Sequence, residues 1–189
     1  MLFKKVKINA SIYQVKITLD GTSPPIWRRI QVSSNISLSR FHNIIQTVMG
    51  WDGYHLHQFI INGVYYGVPH PDYDLEMENE SRVKLNQVIS AEKDKFIYEY
   101  DFGDSWEHII LLEKILPPVS GVDYPICLKG KRTCPPEDCG GVWGYESLLE
   151  TIQNPAYPEH EEMLEWVGGS FDPEAFDIEA INLDLKDLK

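Results

Sequence analysis

The side chains best suited to chemistry lie together near the middle of the chain, where Asp101, Asp104, Trp106 and His108 are close in sequence. Carboxylates and an imidazole at this spacing can bind a metal or another ligand, or can move a proton. Alternatively, the two aspartates accept backbone N–H bonds in a turn while the tryptophan packs in the core. The pattern predicts the position of a site but not its chemistry.

A β-hairpin is predicted to hold these residues. Side chains alternate with a period of two before Asp101 and after Gly103, which places successive side chains on opposite faces of each strand. Gly103 can adopt the positive φ that a tight hairpin turn demands. The second strand has one row made of Trp106, His108, Ile110 and Leu112.

Two further histidines, His55 and His57, lie two residues apart in a predicted strand. At that spacing both share one strand face with Phe59 and Ile61, so the two imidazoles could ligate one metal. Histidines in such positions are more often packed or hydrogen-bonded. The spacing of His55 and His57 fits both interpretations, a shared metal and packed imidazoles.

Three cysteines, Cys127, Cys134 and Cys139, are separated by six and four residues and lack a Cys-x2-Cys pair. A zinc site would need a fourth ligand, for which His108 and Asp138 are candidates. The alternatives are buried thiols or a redox pair. The odd number of cysteines does not indicate a secreted disulfide framework, so we expect a reduced, cytoplasmic setting.

Charge is unevenly distributed along the chain. The formal net charge is −12, and residues 141–189 alone carry 12 acidic and 2 basic side chains. Such an acidic segment argues against a DNA-binding surface there. The first 40 residues are basic and form either a solvated sheet edge or a phosphate or partner contact. The candidates for such a contact are Lys4, Lys5, Lys7, Trp27, Arg28 and Arg29.

The order of predicted elements indicates an α+β fold. We expect an antiparallel or mixed sheet built from hairpins, one packed helix over residues 37–50 in a β-grasp-like roll, and acidic C-terminal helices. The sheet is expected to end near Leu116, and a loop over 125–144 to hold the cysteines. We expect one domain over residues 1–189: a core over about 1–118, then a cysteine-containing loop and helices over about 119–189. No apolar run is long enough to span a membrane.

Distinctive motifs are spread along the chain at Pro25–Arg29, Met49–Trp51 with His55–His57, Tyr98–His108, Cys134–Gly141 with Gly144 and Tyr145, and Phe171–Asp177. Together they resemble the plasmid pRi ORF-three-like family, whose members are often labelled IS-element passenger TnpR proteins. The resemblance implies an α+β domain of unassigned biochemistry that often travels with mobile elements. The sequence lacks the residue sets of serine and tyrosine recombinases, so the resolvase part of that label is not carried over.

The leading hypothesis is a cytoplasmic, non-catalytic binding or interaction module. Its surface would be the hairpin end at 101–108, with His55, His57 and the segment 134–141 nearby. One alternative is a metal-dependent hydrolase with ligands among Asp101, Asp104, His108, His55 and His57. Another is a nucleic-acid accessory protein that uses the basic N-terminal residues. The ligand is unknown, and zinc is the one cofactor the cysteines suggest.

Overall fold

The computed structural model describes residues 10–69 and 77–188. Lys4, Lys5 and Lys7 lie outside these residues. The described residues form an eight-stranded sheet, in which all neighbouring strands are antiparallel except one parallel pair at an edge. In chain order the strands are β1 (Ile12–Leu19), β2 (Trp27–Ser33), β3 (His57–Ile61), β4 (Val64–Gly67), β5 (Glu78–Asn79), β6 (Lys95–Tyr100), β7 (Trp106–Leu116) and β8 (Ile126–Lys131). Their order across the sheet is β5-β4-β3-β6-β7-β1-β2-β8, and the predicted α+β class is confirmed.

Helix α1 (Leu38–Met49) packs against the sheet as the sequence predicts. Its first turn is capped by the Ser37 side chain, which accepts a hydrogen bond from the Arg40 N–H, and it ends at Gly50 with φ 88°. Apolar residues at spacings of three and four form its buried stripe. Within this stripe the Phe41 ring lies 6.1 Å from the ring of Phe59 on β3.

The hairpin of β6 and β7 is the centre of the sheet. Tyr98 lies opposite His108, and Tyr100 lies opposite Trp106. All four side chains belong to the buried row. The carboxylates at the hairpin end therefore adjoin a core rich in aromatic rings rather than a solvated strand face.

The expected loop at 125–144 was wrong in part. Residues Ile126–Lys131 form β8, which pairs with β2 and carries Cys127 opposite Ile30. The pairing register shifts between Arg29 and Ile30, so β8 lacks the regular alternation that would have revealed it. The sheet therefore does not end at Leu116.

The smaller helices precede and follow the central hairpin in the chain. A 3-10 helix (Glu80–Arg82) and helix α2 (Leu85–Val88) come before β6. Helix α3 (Gly141–Gln153) begins inside the segment expected as a loop. The remaining helices are α4 (His160–Trp166) and α5 (Ile178–Asp187), and no helix in the described part of the chain has the length and apolar character needed to cross a bilayer.

Arg28 on β2 is a buried anchor and not a surface contact for phosphate. Only 3% of it is exposed. Its Nε donates to the Val48 carbonyl 2.7 Å away, and its Nη1 donates to the Lys131 carbonyl at 3.0 Å. Its guanidinium also lies 4.9 Å from the Phe176 ring centroid. Arg28 thereby ties the end of α1, strand β8 and the C-terminal segment together.

Arg29 and Trp27 lie on the opposite face of β2 and are already engaged within the protein. Arg29 forms an ion pair with Glu113, with Nε and Oε2 2.6 Å apart. The Trp27 ring lies between two cations, 5.1 Å from Lys16 Nζ and 5.3 Å from the Arg29 guanidinium carbon. This face is a network of paired charges.

We expect Arg28→Met to lower the free energy of unfolding by about 2–4 kcal/mol, because it leaves buried carbonyl groups without donors. Arg29→Met is the matched control on the next residue and should cost about 1 kcal/mol or less, since it removes a partly solvated ion pair. Urea denaturation followed by circular dichroism measures both values. Equal losses for the two variants would contradict the anchoring role of Arg28.

Candidate functional site

Three segments distant in sequence meet at the end of the β6–β7 hairpin. The Trp51 Nε1–H donates to the Pro135 carbonyl at 2.9 Å, which joins the segment after α1 to the cysteine-containing segment. The Asp101 N–H donates to the Leu56 carbonyl at 2.8 Å, which joins the hairpin end to the same segment. We call this meeting point the three-loop site, made of residues 51–56, 101–105 and 134–141.

The third segment docks closely on the hairpin through glycines. The Gly140 N–H donates to Asp104 Oδ2 at 3.1 Å. A Cβ on Gly141 would lie 2.5 Å from the Asp104 carbonyl oxygen, and φ at Gly141 is +69°. A Cβ on Gly144 would overlap the Cys139 carbonyl oxygen. The glycines of this segment therefore allow a close approach to the backbone at Asp104.

His55, Asp101 and Asp138 form the core of the three-loop site. His55 Nδ1 lies 3.7 Å from Asp101 Oδ2, and His55 Nε2 lies 3.3 Å from Asp138 Oδ1. One ligand atom from each residue lies within 4.8 Å of the others. Across residues 10–69 and 77–188, no other set of three His, Cys, Asp or Glu side chains converges in this way.

The two carboxylates of this cluster are held differently. Asp101 is 9% exposed, and its Oδ1 accepts the Gly103 N–H at 2.9 Å, which leaves Oδ2 facing His55. The Asp138 side chain is 72% exposed. Both aspartates have positive φ, +57° and +59°, a conformation that Asp tolerates better than most residues. One carboxylate is therefore buried and fixed while the other faces solvent.

Tyr100 connects this cluster to its surroundings. Its hydroxyl donates to Glu137, the residue before Asp138, and accepts the His55 N–H at 3.4 Å. Burial, followed by the hydrogen bond to Glu137, raises the pKa of Tyr100 well above its ordinary value. The phenol therefore stays protonated and holds the segments of His55 and Asp138 in a fixed relation.

The other candidate residues of the hairpin, Asp104, Trp106 and His108, lie outside the cluster of His55, Asp101 and Asp138. Trp106 and His108 are fully buried. The His108 Nδ1–H donates to the Tyr98 carbonyl at 3.2 Å, and burial lowers the pKa of His108 to about 4. Asp104 uses its carboxylate to hold the Gly140 N–H. Of the hairpin candidates, only Asp101 joins the cluster with His55.

His57 belongs to a separate buried network rather than sharing a ligand position with His55. Its Nε2 lies 2.8 Å from Glu80 Oε2, and its ring stacks on His42 with centroids 3.5 Å apart. His42 Nδ1 lies 2.7 Å from the Tyr98 hydroxyl. Burial, followed by the nearby charge of His57, lowers the pKa of His42 to about 3. Sequence reasoning missed His42 and Glu80.

The three cysteines do not converge with His108 as a zinc ligand set. Cys127 lies on β8, and the Cys134 thiol accepts from Arg28 Nη2 at 3.3 Å. Burial raises the pKa of Cys134 to about 11 and that of Cys139 to about 12. These are neutral thiols, and Asp138, expected as a fourth zinc ligand, lies with His55 and Asp101 instead.

The fold and site define an α+β protein with a hairpin-built sheet and a polar cluster assembled from loops. A family profile described as plasmid pRiA4b ORF-3-like protein matches residues 11–180, and the chain belongs to this family. It is 39% identical over 181 residues to the uncharacterised protein y4hQ of Sinorhizobium fredii, with 95% of this chain and 93% of that protein covered. The crystal structure of MM3350, a protein of unknown function from Methanosarcina mazei Go1, is similar with a TM-score of 0.84 and 41% identity, covering 90% of this chain and 97% of that one.

The buried imidazole of His108 gives a pH prediction. Its pKa falls from 6.5 to about 4 on folding, so the unfolded chain binds the proton more readily between these values. Stability is unaffected by His108 above pH 6.5 and declines as the pH falls toward 4, by about 3 kcal/mol in total.

In His108→Met this contribution is absent, so the variant should lose less stability than the wild type between pH 6.5 and 4. Urea denaturation at several pH values provides the comparison. Identical pH slopes for the two proteins would show that folding does not lower the pKa of His108.

Proposed function

We propose that this protein is a binding module that depends on a divalent cation held by His55, Asp101 and Asp138. The single observation that carries the proposal is the convergence of these three ligand atoms within 4.8 Å. The proposal keeps the binding role expected from the sequence and assigns that role to these three side chains. The cytoplasmic location and mobile-element association expected from the sequence remain predictions.

The chemistry of the three side chains suits a first-row divalent metal. One imidazole with two carboxylates supplies nitrogen and hard oxygen donors, a set suited to Mn²⁺, Fe²⁺ or Zn²⁺. The two carboxylate charges would balance the charge of the ion. Asp101 Oδ2 is oriented toward this point by the turn that occupies Oδ1. Three protein ligands leave coordination positions free for a bound molecule.

Outer contacts support the same centre. The Tyr100–Glu137 hydrogen bond and the Asp104–Gly140 hydrogen bond both act on the segment that carries Asp138. Such outer-shell contacts orient metal ligands and are part of a working site. These two hydrogen bonds restrain the segment around Asp138, whose side chain is the most exposed of the three proposed ligands.

A metal-dependent hydrolase is the second candidate, and the free coordination positions favour it because a metal-bound water could occupy one. Of the five ligands considered from the sequence, this set keeps His55 and Asp101 and replaces Asp104, His108 and His57 with Asp138. A nucleic-acid accessory role gains no support from Arg28 and Arg29, whose guanidinium groups bind within the protein.

The test is titration of the full chain with Mn²⁺, followed by electron paramagnetic resonance and isothermal titration calorimetry. We expect one bound ion per chain and at least about tenfold weaker binding in Asp138→Asn, which removes a ligand. Asp52→Asn is the matched control: it removes the same charge from an exposed residue of the same loop region, outside the cluster. Its affinity should change by no more than about twofold.

Two results would overturn the proposal. One is a wild-type protein that binds no Mn²⁺ in this titration. The other is equal loss of affinity in Asp138→Asn and Asp52→Asn, which would indicate general attraction to an acidic surface.

A further inference from the structure

A cavity of about 420 Å³ adjoins the cation cluster on the side of helices α3 and α4. This volume is within the range of pockets that take small organic ligands. Its wall combines apolar side chains with two hydroxyls. The lining residues are Asp138, Cys139, Gly144, Ser147, Leu148, Thr151, Met163 and Trp166.

Asp138 belongs to both the cavity wall and the cation cluster. Its position relative to α3 is fixed by the next residue, because the Cys139 carbonyl packs where Gly144 has no Cβ. Asp138 therefore lies where the cation cluster and the cavity meet.

The net charge around Asp138 determines whether an anionic or a cationic ligand group can bind there. Without a cation, Asp101, Asp104, Glu137 and Asp138 make this region acidic and would repel an anion. With a divalent cation held by His55, Asp101 and Asp138, the ion balances the charges of the two ligating aspartates and keeps open coordination positions that attract an anion. A carboxylate could then bind the ion while the attached carbon chain enters the cavity.

We propose that the three-loop site binds small carboxylates with an apolar body, the carboxylate on the cation and the body between α3 and α4. This inference rests on the proposed function, since it needs the cation. Leu148, Met163 and Trp166 supply the apolar contact. Burial of each methylene group contributes to affinity in such a pocket, so chain length is the variable to test.

The experiment uses the full-length protein with saturating Mn²⁺ and calorimetric titration with octanoate. Acetate tests the carboxylate alone, and octanol tests the apolar body alone. We expect octanoate to bind at least about tenfold more tightly than acetate. Octanol should show no comparable binding, and octanoate should show none to the metal-free protein. Manganese occupancy is measured on the same samples by electron paramagnetic resonance.

Ser147→Trp fills the cavity from an exposed position on α3, and Glu146→Trp places the same side chain on the neighbouring exposed residue outside the lining. Ser147→Trp should keep Mn²⁺ binding and lose the preference for octanoate over acetate. Glu146→Trp should keep both Mn²⁺ binding and the preference for octanoate over acetate.

The outcomes separate the two proposals. Absence of bound Mn²⁺ would overturn the cation site itself. Bound Mn²⁺ with equal affinity for octanoate and acetate, octanoate binding that does not need the metal, or an unchanged preference in Ser147→Trp would each overturn the carboxylate proposal and leave the cation site standing.

Discussion

The hydrogen bond from the Gly140 N–H to the Asp104 carboxylate, 3.1 Å long, joins the hairpin end to the segment that supplies Asp138. This contact requires a close approach of two backbones, and Gly141 permits it because a Cβ there would lie 2.5 Å from the Asp104 carbonyl oxygen. The candidate site depends on it, because His55 and Asp101 alone make no three-ligand group. A carboxylate in a turn thus holds a loop that is distant in sequence.

Polar groups in the interior are arranged in separate sets with different roles. Arg28 is satisfied by backbone carbonyls and a thiol and fastens elements together. His57 and Glu80 are paired beneath the sheet, with His42 stacked beside them. The cluster of His55 with Asp101 and Asp138 differs from both, because it lies where loops meet and the Asp138 side chain faces solvent.

Period-two and helical patterns in the sequence predicted the central hairpin and α1, since each has one regular buried face. They could not predict β8, where a shift in register disrupts the alternation. For the site, His55 and Asp101 were predicted, but Asp138 was assigned to the cysteines because only the fold shows which loops meet. The same alternation that marked Trp106 and His108 as a pair also placed them in a row with Ile110 and Leu112, and burial of that row put them in the core.

The position of β8 has a consequence for how the chain acquires its structure during synthesis. Strand β2 emerges from the ribosome long before its neighbour Ile126–Lys131, and the aromatic ring that covers Arg28 comes later still, at Phe176. Until β8 and Phe176 have been made, the Arg28 guanidinium is not enclosed and the outer edge of β2 stays unpaired. The chain must therefore be made as far as Phe176 before β1 and β2 reach their final packing, and a nascent fragment that stops earlier presents a free strand to other chains.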